Sequence, residues 1–203
     1  GTAYYALEHK GQLANNEKVL IQTATGACGL MALQIARLKG ATCYGSSSKV
    51  EKRALLQRLG LAHVFDYQSK DFDQQIKQVS DNKGVDLVLN TVAGDAIQQG
   101  LNSLAPGGRY LELATHGLLT SSGLDLANMR FSQSIQVIVF HQLLADSNGF
   151  DLTQMLDLMV NWLETGRIVP IVSRVYPLHQ LTDALRYVSE ARHIGKVGVS
   201  HTQ

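Results

Sequence analysis

The chain has 203 residues, 45% of them hydrophobic and 17% charged, the make-up of a globular protein with room for one large domain or two small ones. A formal net charge of +1, with no basic run or acidic block, offers nucleic acid or a membrane surface no electrostatic footprint. No apolar stretch reaches the roughly 18 residues of a membrane helix, and the opening GTAYYALEHKG has the pattern of neither a signal nor a transit peptide.

TAYYAL begins the chain as an aromatic helical segment, so residues 1–16 are expected to form a linking helix that needs a surface to pack against. Strand-like runs follow at 18–23, 42–46, 63–67, 85–92, 108–113 and 134–140. Helical patterns lie between them at 29–39, 49–59, 71–81, 95–104 and 124–130. Several of the strands are apolar nearly throughout, as strands covered by helices on both faces must be. This alternation over 17–145 predicts an α/β fold: a doubly wound (Rossmann) parallel sheet with flanking helices.

Residues 146–203 read as a C-terminal extension that completes the domain. DLTQMLDLMVNWLETGRI is an amphipathic helix with Leu152, Met155, Leu156, Met159 and Trp162 near one stripe, which marks core packing rather than a cofactor box. An extended PIVSRVYPL, a helix around 179–192 and a last strand, KVGVS, follow. The abrupt helical start and the returning tail lead to the expectation that the chain is a piece of a longer polypeptide. The run at 134–140 would serve as a sheet edge able to pair with a twin, which leaves a homodimer open.

The first strand runs into the helix through TATGACG, where Ala24, Gly26 and Gly29 give A-x-G-x-x-G. In a dinucleotide-binding turn, the middle glycine lets the pyrophosphate approach the backbone and the last lets helix and strand pack closely. The helix N-terminus then offers free N–H groups and a partial positive charge to an anion. Alanine in the first position is a mild departure if that residue does not need a positive φ. The alternative is a structural turn, which glycine also serves. At the end of the second strand, an NAD site carries an acid for the ribose 2′-hydroxyl, but this chain reads GSSSKVEKR. Ser46, Ser47 and Lys52, with Lys49 and Arg53 nearby, would suit a 2′-phosphate and so NADPH; the alternative is a solvated helix start with surface lysines. Cys28 and Cys43 are isolated thiols that suit a reducing, cytoplasmic setting, and no His or Cys spacing marks a metal site.

Taken together, TAYYAL, VLIQTATGACGLMALQIARLKGA, EKRALLQRLG, GVDLVLNTVAG, LAPGGRYLEL and ARHIGKVGVS resemble the enoyl reductase domains of modular polyketide synthases. Those domains belong to the zinc-free, quinone-oxidoreductase-like branch of the medium-chain dehydrogenase/reductase superfamily. The resemblance implies the cofactor-binding part of a two-domain enzyme, with a GroES-like substrate domain preceding residue 1. It implies hydride transfer from NADPH to the β-carbon of an α,β-unsaturated acyl thioester on an acyl carrier protein, followed by protonation at the α-carbon, within a multidomain megaenzyme.

By motif, the resemblance assigns Gly26, Ala27, Cys28 and Gly29 to the pyrophosphate and Ser46, Ser47 and Lys52 to the 2′-phosphate. It places Tyr67 over the adenosine side, Asn90 at the nicotinamide ribose and Thr2 near the nicotinamide; the alternatives are that Tyr67 caps a strand and Asn90 bonds a turn, and Lys196 either borders the cleft or sits on the surface. Two departures stand out. Where many relatives carry a lysine after the LEL-type strand, this chain has Thr115, counted with the cofactor contacts, and His116. Where they carry an aspartate after the next strand, it has His141 and Gln142. His116 and His141 are therefore the candidate proton donors, and otherwise the catalytic group is unassigned. The competing functions are a fragment of a free-standing NADPH quinone or enone reductase, and a non-catalytic NADPH-binding module.

Overall fold

A computed structural model describes residues 1–115, 123–144 and 149–201. The chain opens with a helix, α1 (Thr2–Tyr4), that continues as a π-helical turn, Tyr5–Lys10. Then come β1 (Lys18–Ile21), α2 (Ala27–Leu38), β2 (Thr42–Ser46), α3 (Val50–Arg58), β3 (His63–Phe65), α4 (Phe72–Gln78), β4 (Val85–Asn90), α5 (Asp95–Asn102) and β5 (Leu104–Glu112). After β6 (Ser134–Val137) and a 3₁₀ turn, Phe140–Leu144, the chain forms α6 (Leu152–Glu164), β7 (Val172–Pro177), α7 (Leu181–Ser189) and β8 (Lys196–Ser200).

Six strands pair in parallel in the order β3-β2-β1-β4-β5-β6, the doubly wound arrangement expected from the alternating pattern. Alternation along the central strands divides the core. Val19 and Ile21 of β1, with Leu87 and Leu89 of β4, face α1, α2 and α6; Leu20 and Val88 face Phe72, Ile76, Ile97 and Leu101 of α4 and α5. All four β1 and β4 apolar positions on the first face, and both on the second, are fully buried, which is why these strands read as continuous apolar runs.

The opening helix packs within this chain. Tyr4 meets Trp162 of α6 edge-on at 5.9 Å, and Tyr5 sits 5.8 Å from Phe140 and 4.8 Å from Phe150. Arg109 of β5 fixes its exit: the guanidinium donates to both carboxylate oxygens of Glu17 at 2.7 Å and to the Gly11 carbonyl at 3.0 Å.

Two expectations need correction. The helix expected at 124–130 is absent; 123–133 is irregular, held by the Gln98 side chain, which donates to Asp125 O and accepts from Asp125 N. That side chain supplies the bonds a helix would have made for itself. On α6, Met155, Met159 and Trp162 are buried, but Leu156 is exposed, because the i+4 positions Leu156 and Val160 rotate onto the outer face. In the C-terminal extension, the expected extended run and last strand pair with each other as a separate parallel sheet, β7–β8. Among the described residues, no helix is long and apolar enough to cross a membrane.

Candidate functional site

In the turn between β1 and α2, the left-handed conformation falls on Thr23, at φ +47°, and not on Ala24. Ala24 is therefore compatible with the turn, and it is fully buried, its N–H donating to Ser46 O at 3.0 Å. Thr23 is held by a hydroxyl–hydroxyl bond to Thr91, whose Oγ1 in turn reaches Gln22 O. Gly29 is the residue the turn cannot replace. A Cβ there would lie 2.7 Å from both Ala24 Cα and Thr23 O, so helix and loop touch through its missing side chain. Gly26 is looser, with only Thr23 O at 3.3 Å from such a Cβ. It precedes α2 without capping it by a side chain, so no side-chain acceptor occupies the first-turn N–H groups, the place where an anion would bind.

The far end of the chain closes over this turn. Gly195 forms a parallel bridge with Gly26, and its N–H donates to Thr25 O at 2.9 Å. Gly195 has φ +64°, and a Cβ there would fall 2.3 Å from Ile171 O.

Two clefts flank the turn. One, of about 180 Å³, is lined by Thr23, Thr25, Gly26, Ser47, Ser48, Lys49, Lys52, Tyr67, Ala191 and His193. The other, of about 220 Å³, joins Thr2, Ala27, Cys28, Met31, Met159 and Lys196. Each carries lysine and, among the described residues, neither lining contains an acid. Tyr67 also borders a third opening, of about 350 Å³, with Lys70, Asp95 and Gln99.

Lys52 Nζ donates to Ala191 O at 2.9 Å and to His193 O at 2.8 Å, and Lys49 Nζ reaches Ala191 O at 3.3 Å. The two ammonium groups thus cap the carbonyls that follow α7 while facing the first cleft. Burial, and then Lys49, lower the pKa of Lys52 from its ordinary value. Burial raises that of Cys28, so its thiol stays neutral at the helix N-terminus.

Most of the sequence-named residues meet here. Gly26, Ser47, Lys52 and Tyr67 share the first cleft, and Thr2, Ala27, Cys28 and Lys196 share the second. Gly29 and Ala24 shape the turn between them. Four do not fit the expected roles. Ser46 is fully buried behind the cleft, whereas Ser48 lines it and accepts from Tyr67 Oη at 3.2 Å. Arg53 is committed to the scaffold: Nη1 donates to Ser47 O, Ser48 O and Asp66 Oδ2, so its charge is spent on the turn and on a carboxylate. Asn90 points inward; its amide donates to Val92 O and Glu112 Oε2, each at 2.7 Å, and its Oδ1 accepts from Val92 N. Thr115 is half-buried beyond β5 and lines none of the three openings.

His116 lies outside the described residues. His141 is exposed on the 3₁₀ turn and, with Gln142, borders none of these openings. Sequence reasoning missed Ser48 and His193, although both sit in motifs it had singled out, SSSK and ARHIGKV.

No three His, Cys, Asp or Glu side chains converge into a metal-binding group among the described residues.

A sequence profile of the zinc-binding dehydrogenases matches residues 59–199. The chain is 36% identical over its whole length to a phenolphthiocerol/phthiocerol polyketide synthase of Mycobacterium tuberculosis, of which it spans 9%. Two solved structures align closely. The CurK enoyl reductase has 30% identity and a TM-score of 0.84, over 98% of this chain and 59% of its own. The nucleotide-binding subdomain of the enoylreductase domain of PpsC, from M. tuberculosis, has 37% identity and a TM-score of 0.74, over 82% of this chain and 93% of its own. The profile match over most of the chain, on a doubly wound sheet with this glycine turn, shows that the chain belongs to the zinc-binding dehydrogenase family, among relatives that are enoyl reductase domains of polyketide synthases.

Proposed function

We propose that the chain is the NADPH-binding part of an enoyl reductase that, in its full-length parent, reduces α,β-unsaturated acyl thioesters on an acyl carrier protein. The observation that carries the cofactor reading is the first cleft: two lysines and two serines stand where an acid would receive an unphosphorylated ribose. When bound, the cofactor supplies hydride; the chain's own residues bind and orient it. The N-terminus of α2 and its glycine turn receive the pyrophosphate, Lys49 and Lys52 the 2′-phosphate, and Thr2, Cys28 and Lys196 wall the opposite side. A GroES-like substrate domain supplies the rest of the acyl site, and the parent is a multidomain synthase.

Lys52→Ala tests the cofactor assignment. Loss of a charge-assisted phosphate contact is expected to weaken NADPH binding by about 10-fold or more and leave NADH binding within about 2-fold. Isothermal titration calorimetry reads both, and equal affinities of the unmodified chain for the two cofactors would overturn the assignment. For the parent, NADPH oxidation on addition of a crotonyl thioester tests turnover. Its absence would favour the second reading, a binding module without catalysis, which the position of His141 outside the clefts supports.

A further inference from the structure

His193 forms the wall of the first cleft contributed by the segment between α7 and β8. Its carbonyl is tied to Lys52 Nζ, and its ring meets Tyr187 of α7 edge-on, with centroids 6.5 Å apart. Its Nδ1 is buried with no hydrogen-bond partner, and among the described residues no other side-chain atom lining this cleft is in that state. An unpaired buried polar atom costs free energy, and a ligand in the cleft that drew the His193 ring toward it would relieve that cost.

The surroundings determine its charge. Lys49 and Lys52 approach from α3, Tyr67 from the loop after β3, and Tyr187 from α7. On its own segment, Arg192 lies 5.9 Å above the Tyr187 ring and donates to Glu190 at 3.1 Å, so the acid there is already paired. Burial, and then Lys52, hold the imidazole below its ordinary pKa of 6.5, so it is neutral in the free protein near pH 7. A phosphate dianion between the lysines reverses the sign of that local field.

We propose that His193 determines cofactor choice: it takes up a proton from solvent as a 2′-phosphate enters beside Lys52, and donates a hydrogen bond to that phosphate. This rests on the NADPH reading above and adds to it a residue and a pH dependence. No covalent bond changes; one proton moves from water to the imidazole. A ligand that binds the protonated form gains affinity as pH falls, by up to about 10-fold per pH unit for one full proton. The phosphate's own protonation near pH 6 works against this, so the contrast between variants is the readout.

Isothermal titration calorimetry in buffers of different ionisation enthalpy counts the protons. NADPH binding is expected to take up a fraction of a proton near pH 7, and NADH binding none. His193→Gln, which stays neutral, should abolish the uptake. It should also weaken NADPH binding about 5- to 10-fold near pH 6.5, with little change near pH 8. NADH affinity reports that the variant has folded, and His193→Asn serves as a second variant if it has not. NADPH preference with the same proton count and affinity in wild type and variant would overturn the role of His193 alone. Equal NADPH and NADH affinity in the wild type would overturn the cofactor reading and this inference with it.

Discussion

At the scale of residues, the glycine turn separates two requirements that a motif merges. Gly29 is there because the backbone of Thr23 and Ala24 occupies the space of its side chain, whereas Gly26 has room. Gly29→Ala is therefore expected to destabilise the fold by about 1–3 kcal/mol, the range of overpacking in a tight core. Gly26→Ala should cost under about 1 kcal/mol and act mainly on cofactor affinity, since its Cβ would stand at the mouth of the turn. Urea denaturation with parallel cofactor titration distinguishes them; similar stability losses for both would contradict the packing argument. The serine run shows why the contacting residues were only partly legible. Ser46, the last residue of β2, is buried, while Ser48, beyond the strand end, faces the cleft. Strand alternation with its period of two would put Ser46 and Ser48 on the same face, so the difference arises only because the chain leaves the strand after Ser46, a boundary the serine run itself does not mark. Asn90 has two roles open to it. Its amide can bond either a ligand or its own turn, and only the nearby Glu112 carboxylate and Val92 carbonyl decide which.

At the scale of elements, the brace from Arg109 to Glu17 ties the exit of the opening helix to β5, the strand beside the sheet edge. Glu17 has its pKa lowered first by the bond from Arg109, so its stabilising contribution is complete above its ordinary value of 4.5 and is lost as pH falls through the lower folded value. Glu112 acts in the opposite sense: burial raises its carboxyl, so its contribution is present below 4.5 and fades as pH rises through the folded value. Glu17→Gln is expected to lower stability by about 1 kcal/mol at neutral pH, with the deficit shrinking below about pH 4. Denaturant midpoints measured across that window test it, and a deficit constant with pH would show that the pair contributes nothing through charge. The elements themselves were largely legible. Strand β2 falls at 42–46 as its pattern indicates, and β1, β4 and the helices differ from expectation mainly at their ends, where period is weakest. The misread helix at 124–130 was invisible because its stabilising bonds come from Gln98, in an element 26 or more residues away. The pairing of β7 with β8 depends on α7 crossing between them, and composition does not disclose that.

At the scale of the molecule, apolar side chains collect on the outside of the C-terminal extension. Val172 and Val175 of β7 and Leu181, Leu185 and Val188 of α7 are all more than 40% exposed, and Leu185 reaches 62%. Exposed apolar side chains gathered on two neighbouring elements favour association. Leu185→Gln is expected to reduce self-association of the chain with little change in thermal midpoint, because the side chain makes no buried core contact. Sedimentation velocity and a thermal melt check both halves, and an unchanged association together with a lowered midpoint would show that the residue supports the fold instead.

The bridge between Gly26 and Gly195 has a consequence for synthesis. A ribosome delivers the clasp 169 residues after the glycine turn. The sheet strands β1 to β5 can pair as they emerge, but the lysines of α3 have no carbonyls to cap, and the first cleft has no outer wall, until the segment around His193 has left the exit tunnel. A polypeptide arrested short of that segment would therefore carry the glycine motif without the pocket.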